Sequence, residues 1–231
     1  MVAPLHMTAG SSGSISLVPT AAGDVSVAFD GPGDATAALI LAPGAGGGFD
    51  GAFMRAVAMG LAEQQLRVCR FNFGYTEKGR RSPDAQPLLE QTYRDVVSFV
   101  RPLIGSRPLF LGGKSMGGRI ASHVSAAGEA AAGLIFLGYP LHPPGRPDRL
   151  RDAHLGAVAS PMLFVEGTRD PFCPLRTLDR VLAGITAPAE VAVIADGDHS
   201  FKVRKGSGRS TEDAWQEVVQ AVAEWVRGRT V

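Results

Sequence analysis

Residues 109–128 read LFLGGKSMGGRIASHVSAAG. The apolar run Pro108–Gly112 ends in Gly113-Lys114-Ser115-Met116-Gly117 and passes directly into a segment that reads as a helix, MGGRIASHVSAAG. Strand, sharp turn on a G-x-S-x-G core, then helix is the setting that holds a serine exposed above the end of a sheet. The glycines are needed because the turn keeps Ser115 in a strained conformation, where side chains beside it would strike neighbouring backbone. The helix N-terminus behind the serine favours negative charge. The competing reading is an ordinary glycine-rich turn with an incidental serine. A phosphate-binding G-x-x-x-x-G-K-[ST] loop is excluded, because position 108 would have to be glycine and is Pro108.

The same strand-then-helix grammar extends outward in both directions. Apolar runs at Ala38–Ala42, Val68–Phe73, Pro108–Gly112, Leu134–Tyr139, Met162–Glu166 and Val191–Ala195 are mostly continuous rather than alternating, as expected of parallel strands covered on both faces. Helical stripes lie between them: Phe53, Val57 and Leu61 with Asp50 as candidate N-cap, then Leu89, Tyr93, Val96, Val97 and Val100. A last helix carries Trp215, Val218, Val219, Val222, Trp225 and Val226, with Ser210 and Thr211 at its N-cap. Two short extended stretches, Ile15–Pro19 and Val25–Phe29, precede the alternation and predict an antiparallel lead-in. The expected architecture is α/β, a mostly parallel doubly wound sheet in one domain over residues 14–231, after a flexible tail over 1–13.

Composition narrows the classes. The chain has 231 residues, a formal net charge of +1 and two cysteines, Cys69 and Cys173, without metal-ligand spacing. No basic excess points to nucleic acid, no apolar run approaches a membrane span, and the N-terminus lacks the pattern of a signal peptide. A cytoplasmic globular protein acting on a small molecule, without metal or cofactor, is the expectation. Cys69 and Cys173 read as packing residues. Lys78, Arg80, Arg81, Lys202, Arg204, Lys205 and Arg209 read as a solvated loop face that would also suit acidic substrates.

A second glycine cluster, APGAGGG at 42–48, follows the strand AALIL. Gly46, Gly48 and Gly51 satisfy G-x-G-x-x-G, but the next strand ends Arg70-Phe71-Asn72-Phe73, without the carboxylate that a dinucleotide ribose requires. The loop reads better as the donor of one amide to an oxyanion hole, through Ala45, with the amide of Met116 as the other donor; a purely structural loop is the alternative. A serine nucleophile also needs a base and an orienting acid. His199 lies in ADGDHSF, after the last strand, and Asp170 in GTRDP, after the strand before it. Ser115, Asp170 and His199 in that chain order, at three strand ends, match one of the known triad orders. Glu166, Asp196 and Asp198 compete with Asp170 for the acid's role.

The blocks LAPGAGG, RFNFGY, GGKSMGGRIAS, GYPLHPPG, GTRDPF and GDHSFK, in this order, resemble the bacterial α/β-hydrolases allied to the dienelactone hydrolase-like superfamily, a group that includes testis-expressed and KANL-type hydrolase-like proteins. The resemblance implies an α/β-hydrolase fold with Ser115, Asp170 and His199 as catalytic residues. Dienelactone hydrolases proper use cysteine as nucleophile where this chain has Ser115. The expectation is therefore a serine hydrolase of a small carboxylic ester or thioester, with a non-catalytic interaction module of the same fold as the alternative. Pro140–Ser160 is too short for a lid domain.

Overall fold

The apolar runs pair into one eight-stranded sheet. The structure is a computed structural model that describes residues 15–230; the tail expected over 1–13 lies outside the described residues. The lead-in strands β1 (Ile15–Val18) and β2 (Val25–Asp30) precede β3 (Ala37–Ala42), α1 (Ala52–Glu63), β4 (Leu66–Phe71), the short α2 (Gly74–Glu77) and α3 (Gln86–Ile104). There follow β5 (Leu109–Lys114), α4 (Met116–Ala126), β6 (Gly133–Leu137), β7 (Met162–Gly167), α5 (Leu175–Leu182), β8 (Ala189–Ile194) and α6 (Thr211–Arg227). The sheet order is β1-β2-β4-β3-β5-β6-β7-β8. β1–β2 and β2–β4 pair antiparallel and every other pair is parallel.

Strand periodicity divides the core into two layers. Ile40, Leu111, Phe136 and Phe164 point to one face, where α3 supplies Tyr93, Val96 and Val100, and α4 supplies Ile120 and Val124. Leu39, Leu41, Phe110, Ile135 and Val165 point to the other, against Val57 and Leu61 of α1 and Val218, Val222 and Trp225 of α6. Double coverage is why β3 and β6 are apolar throughout, and β5 and β7 apolar up to their C-terminal ends at Lys114 and Glu166. β8, at the edge, is only partly covered. The connection from Gly138 to Pro161 contains a single 3-10 turn, Leu155–Ala157, and no lid domain.

The bounds of several strands differ from expectation, β6 for one ending at Leu137 rather than Tyr139, and two departures involve side chains. α1 is capped by Gly51 without a side-chain bond, because the Asp50 carboxylate is turned to Arg55 and lies 3.5 Å from Arg70. The strand expected at Val68–Phe73 stops at Phe71; the Asn72 amide still donates to the Ser26 carbonyl at 3.0 Å, while its Oδ1 takes the Phe49 amide at 2.9 Å. At α6 the capping box forms as expected, with Ser210 and Asp213 satisfying each other's backbone amides.

One buried ion pair locks the lead-in strands to the rest. Arg70 of β4 donates from Nε to Asp30 Oδ2 at 2.7 Å and from Nη2 to Oδ1 at 3.1 Å, while Nη1 holds the Phe49 carbonyl at 2.7 Å. The Arg70 side chain is 7% exposed, so loss of its partner strands a charge. Asp30→Ala should lower the unfolding free energy by about 3–5 kcal/mol, read as an earlier midpoint in urea with the slope preserved.

Candidate active site

The nucleophile elbow depends on an exceptionally close approach of backbone. Ser115 has φ 50° and ψ −114°, a strained conformation for a residue with a side chain. A Cβ on Gly113 would stand 2.5 Å from the Ala42 carbonyl oxygen, and one on Gly117 would stand 2.7 Å from that of Pro43. Their absence lets the start of α4 press against the loop leaving β3. That contact brings Gly44 beside the serine, its Cβ position 3.6 Å from Ser115 Cβ. Tyr93, fully buried, steadies the strand from below by accepting the Gly112 amide at 2.9 Å on its hydroxyl.

Three strand ends bring Ser115, His199 and Asp170 into one hydrogen-bonded chain. His199 Nδ1 lies 2.6 Å from Asp170 Oδ2, and Nε2 lies 2.8 Å from Ser115 Oγ. A carboxylate only accepts, so Nδ1 carries the proton and Nε2 is left to accept from the serine hydroxyl. Asp170 is buried, and its second oxygen takes the Phe172 amide at 2.7 Å. The Phe172 ring meets the His199 ring edge-on at 4.7 Å between centroids. Such a chain can draw the proton from Ser115 as its oxygen attacks an electrophile.

The remaining carboxylates are occupied otherwise. Asp198 accepts the amides of Ser200 at 2.7 Å and Lys202 at 2.9 Å, and so builds the loop that carries His199. Asp196 binds Arg204 and Arg169. Glu166 is fully buried at the end of β7, accepts the Tyr139 amide on Oε1 at 2.6 Å, and has no hydrogen-bond partner at Oε2. Burial first, and then the nearby Asp170, push its carboxyl well above the usual range, which favours its neutral form.

Ala45 follows Gly44 on the loop after β3, and Met116 follows the serine at the first position of α4. Among the described residues neither amide has a protein acceptor outside regular ladders. The glycine loop is held by groups not anticipated from sequence: Tyr75 Oη takes the Gly46 amide at 3.2 Å, and Asn72 takes that of Phe49. The nearby apolar-looking run RFNFGY hid both roles. Cys69 and Cys173 are buried, and burial pushes both thiols up, out of reach of nucleophilic use.

A second serine–histidine contact is of a different kind. Ser122 Oγ donates to the Arg119 carbonyl at 2.7 Å, so the 2.7 Å contact with His154 Nε2 must have the imidazole as donor. His154 therefore cannot serve as that serine's base, and Ser122 is fully buried. Three of the seven residues expected on the basic loop face are paired, Arg80 with Asp84, Arg204 with Asp196 and Arg209 with Glu217. No helix among the described residues is long and apolar enough to cross a membrane.

A family model described as an alpha/beta hydrolase domain matches residues 35–227. Among solved structures, the chain is similar to an alpha-beta serine hydrolase homologue from Coxiella burnetii, at 22% identity and a TM-score of 0.74 over 92% of this chain and 99% of that one. A serine hydrolase without a lid from Xanthomonas campestris is similar at 22% identity and 0.73, over 96% and 98%. A dienelactone hydrolase from Anabaena variabilis is similar at 19% identity and 0.73, over 94% and 97%.

The unequal carboxylates give a graded expectation for any turnover this site supports. Asp170→Asn keeps shape but turns the imidazole to the wrong tautomer, and should cost up to ~10⁴-fold in kcat with the fold intact. Glu166→Gln mimics the favoured neutral form of that acid at equal size and should stay within about tenfold of the parent. A crippled Glu166→Gln beside an active Asp170→Asn, in steady-state assays at neutral pH, would transfer the acid's role.

Proposed function

The chain belongs to the alpha/beta hydrolase domain family, and on that premise we propose that it is a serine hydrolase cleaving a small carboxylic ester or thioester through an acyl-enzyme. The observation that carries this reading is the chain of contacts Ser115–His199–Asp170, at 2.8 and 2.6 Å, above a strained elbow. Ser115 Oγ attacks the acyl carbon while His199 Nε2 takes its proton, and Asp170 holds Nδ1–H and stabilises the imidazolium. The oxyanion is received by the amides of Met116 and Ala45, where fixed donors in a partly dehydrated site stabilise developing charge by several kcal/mol. His199 then protonates the departing alcohol or thiol. Water, deprotonated by the same imidazole, attacks the acyl-enzyme, and collapse of the second tetrahedral adduct returns Ser115 its proton. No step needs a metal or cofactor.

Access favours small, soluble substrates. With only the short Gly138–Pro161 connection over the elbow, nothing of lid size has to move before substrate enters. The neighbour named as a serine hydrolase without a lid supports the same reading.

A fluorophosphonate probe should label Ser115 stoichiometrically, as detected by intact mass and peptide mapping. Ser115→Ala should abolish labelling and reduce kcat by at least ~10⁴-fold on any ester found active in a panel of nitrophenyl esters and thioesters. Wild-type protein that resists the probe under conditions that label other esterases would point to a non-catalytic module. Rates on a long-chain ester should rise smoothly through its solubility limit; a jump at the onset of emulsion would mean that a mobile cover exists after all.

A further inference from the structure

The segment RFNFGYT at 70–76 has no part in the mechanism proposed above, yet it grips the glycine loop at several points. Phe49 is held on both sides of its backbone, its carbonyl by Arg70 Nη1 at 2.7 Å and its amide by Asn72 Oδ1 at 2.9 Å. Thr76 Oγ1 donates to the Gly47 carbonyl at 3.4 Å, and Tyr75 Oη accepts the Gly46 amide at 3.2 Å. The Tyr75 contact is the one next to Ala45, whose amide the mechanism needs.

That contact falls on the centre of a turn. The Gly47 amide donates to the Gly44 carbonyl at 3.2 Å, which closes a β-turn over 44–47. Gly46 has φ +70°, whereas Ala45 has no positive φ. A positive φ at the third residue alone marks type II, a form that glycine at this position permits. The Gly44 carbonyl and the Ala45 amide belong to one planar trans peptide, so tying the carbonyl into the turn points the amide away from it. Types I and II differ by a half-rotation of the central peptide, here Ala45–Gly46. Glycine is at home in either form, so nothing in these two residues fixes that peptide. The Tyr75 hydroxyl does so by engaging its N–H.

Tyr75 is itself firmly seated. It is fully buried and stacks on Phe73 at 6.3 Å between ring centroids. It stands on α2, which comes so near the lead-in turn that a Cβ on Gly74 would collide with that of Ala22. Glu77, at the other end of α2, accepts the Ser26 amide at 2.8 Å.

Resting on the serine-hydrolase reading above, we infer that Tyr75 is a positioning residue for the oxyanion hole: its hydroxyl, by accepting the Gly46 N–H, holds the 44–47 turn in the form that presents the Ala45 amide. It acts on the substrate only through the loop. A well-placed donor does little for the ground-state carbonyl and much for the tetrahedral oxyanion. Loss of a whole oxyanion donor costs about 10²–10³-fold in kcat, so a donor left in place but unbraced should cost about 10- to 100-fold.

The test compares wild type with Tyr75→Phe, which keeps the ring and its packing and removes only the acceptor. Thermal unfolding and the stoichiometry of fluorophosphonate labelling check the fold and the active fraction. The kcat per labelled site should fall about 10- to 100-fold with KM nearly unchanged. Affinity for a trifluoromethyl ketone, whose adduct with Ser115 carries an oxyanion, should fall by a similar factor. Gly46→Ala, which penalises the positive φ, should lower kcat likewise and add little in the double variant. Unchanged kcat in Tyr75→Phe, a rise in KM alone, or full additivity in the double variant would overturn the inference. A second measurement needs no turnover. Hydrogen exchange at the Gly46 amide should quicken about tenfold in Tyr75→Phe, while that of Phe49, held by Asn72, stays as it was. Unaltered exchange at Gly46 would refute the brace even if fluorophosphonate labels Ser115. Faster exchange confined to Gly46 in a protein that resists the probe would sustain the brace while the hydrolase reading fell.

Discussion

The backbone of the elbow presses so closely on the end of β3 that neither Gly113 nor Gly117 has room for a methyl group against the carbonyls of Ala42 and Pro43. Everything at this edge of the sheet follows from that contact. It sets the height of α4 over the sheet, and with it the position of the Met116 amide. It fixes how near the Gly44–Ala45 segment comes to Ser115, and it forces the serine into the φ 50° conformation that lifts its hydroxyl toward His199. The strain of that residue, of order 1–3 kcal/mol, is sustained by a doubly covered sheet in which β5 is hydrogen-bonded on both sides.

Three carboxylates that compete for the acid's role meet three different fates, and solvation decides among them. Asp170 is buried but receives donors on both oxygens, so it can remain an acceptor. Asp198 keeps its loop in shape by collecting amides. Glu166 has one amide and no partner for its second oxygen, and water cannot reach it, so neutrality is its cheaper state. Proximity to an imidazole in sequence or space is thus a poor guide to which acid can orient it. The count of donors around each carboxylate is the better one.

The positions of Ser115, Asp170 and His199 were legible in the sequence because each closes an apolar run that could be recognised as a strand, and strands of a parallel sheet all end on the same side. Their meeting was implied by topology before any side chain was seen. The seat of the Lys114 side chain was not legible, since its amine lies against Gly138 and over the Phe201 ring, both far away in sequence. Tyr75 and Asn72 were hidden for the same reason: a polar group within an aromatic run reads as packing until its partner, an amide of a distant loop, is known. The helix α5 escaped notice because eight residues between Pro174 and Gly184 give too few turns for periodicity, and only Leu178 is buried. Asp50 was misread through a local rule, the preference for aspartate at an N-cap, that lost to longer-range arginines.

The strand order also distributes durability unevenly over the three side chains. Ser115 rises from β5, a central strand with neighbours to either side, whereas His199 hangs from a loop that follows β8, an edge strand that is only partly covered. Transient opening of a sheet begins at its rim, where fewest contacts must be surrendered. Each such fraying event would carry away the imidazole while leaving the serine on its elbow. Any chemistry that needs all three side chains together would thus have a shorter lifetime than the fold, and heat or mild denaturant would silence it before the protein loses its shape.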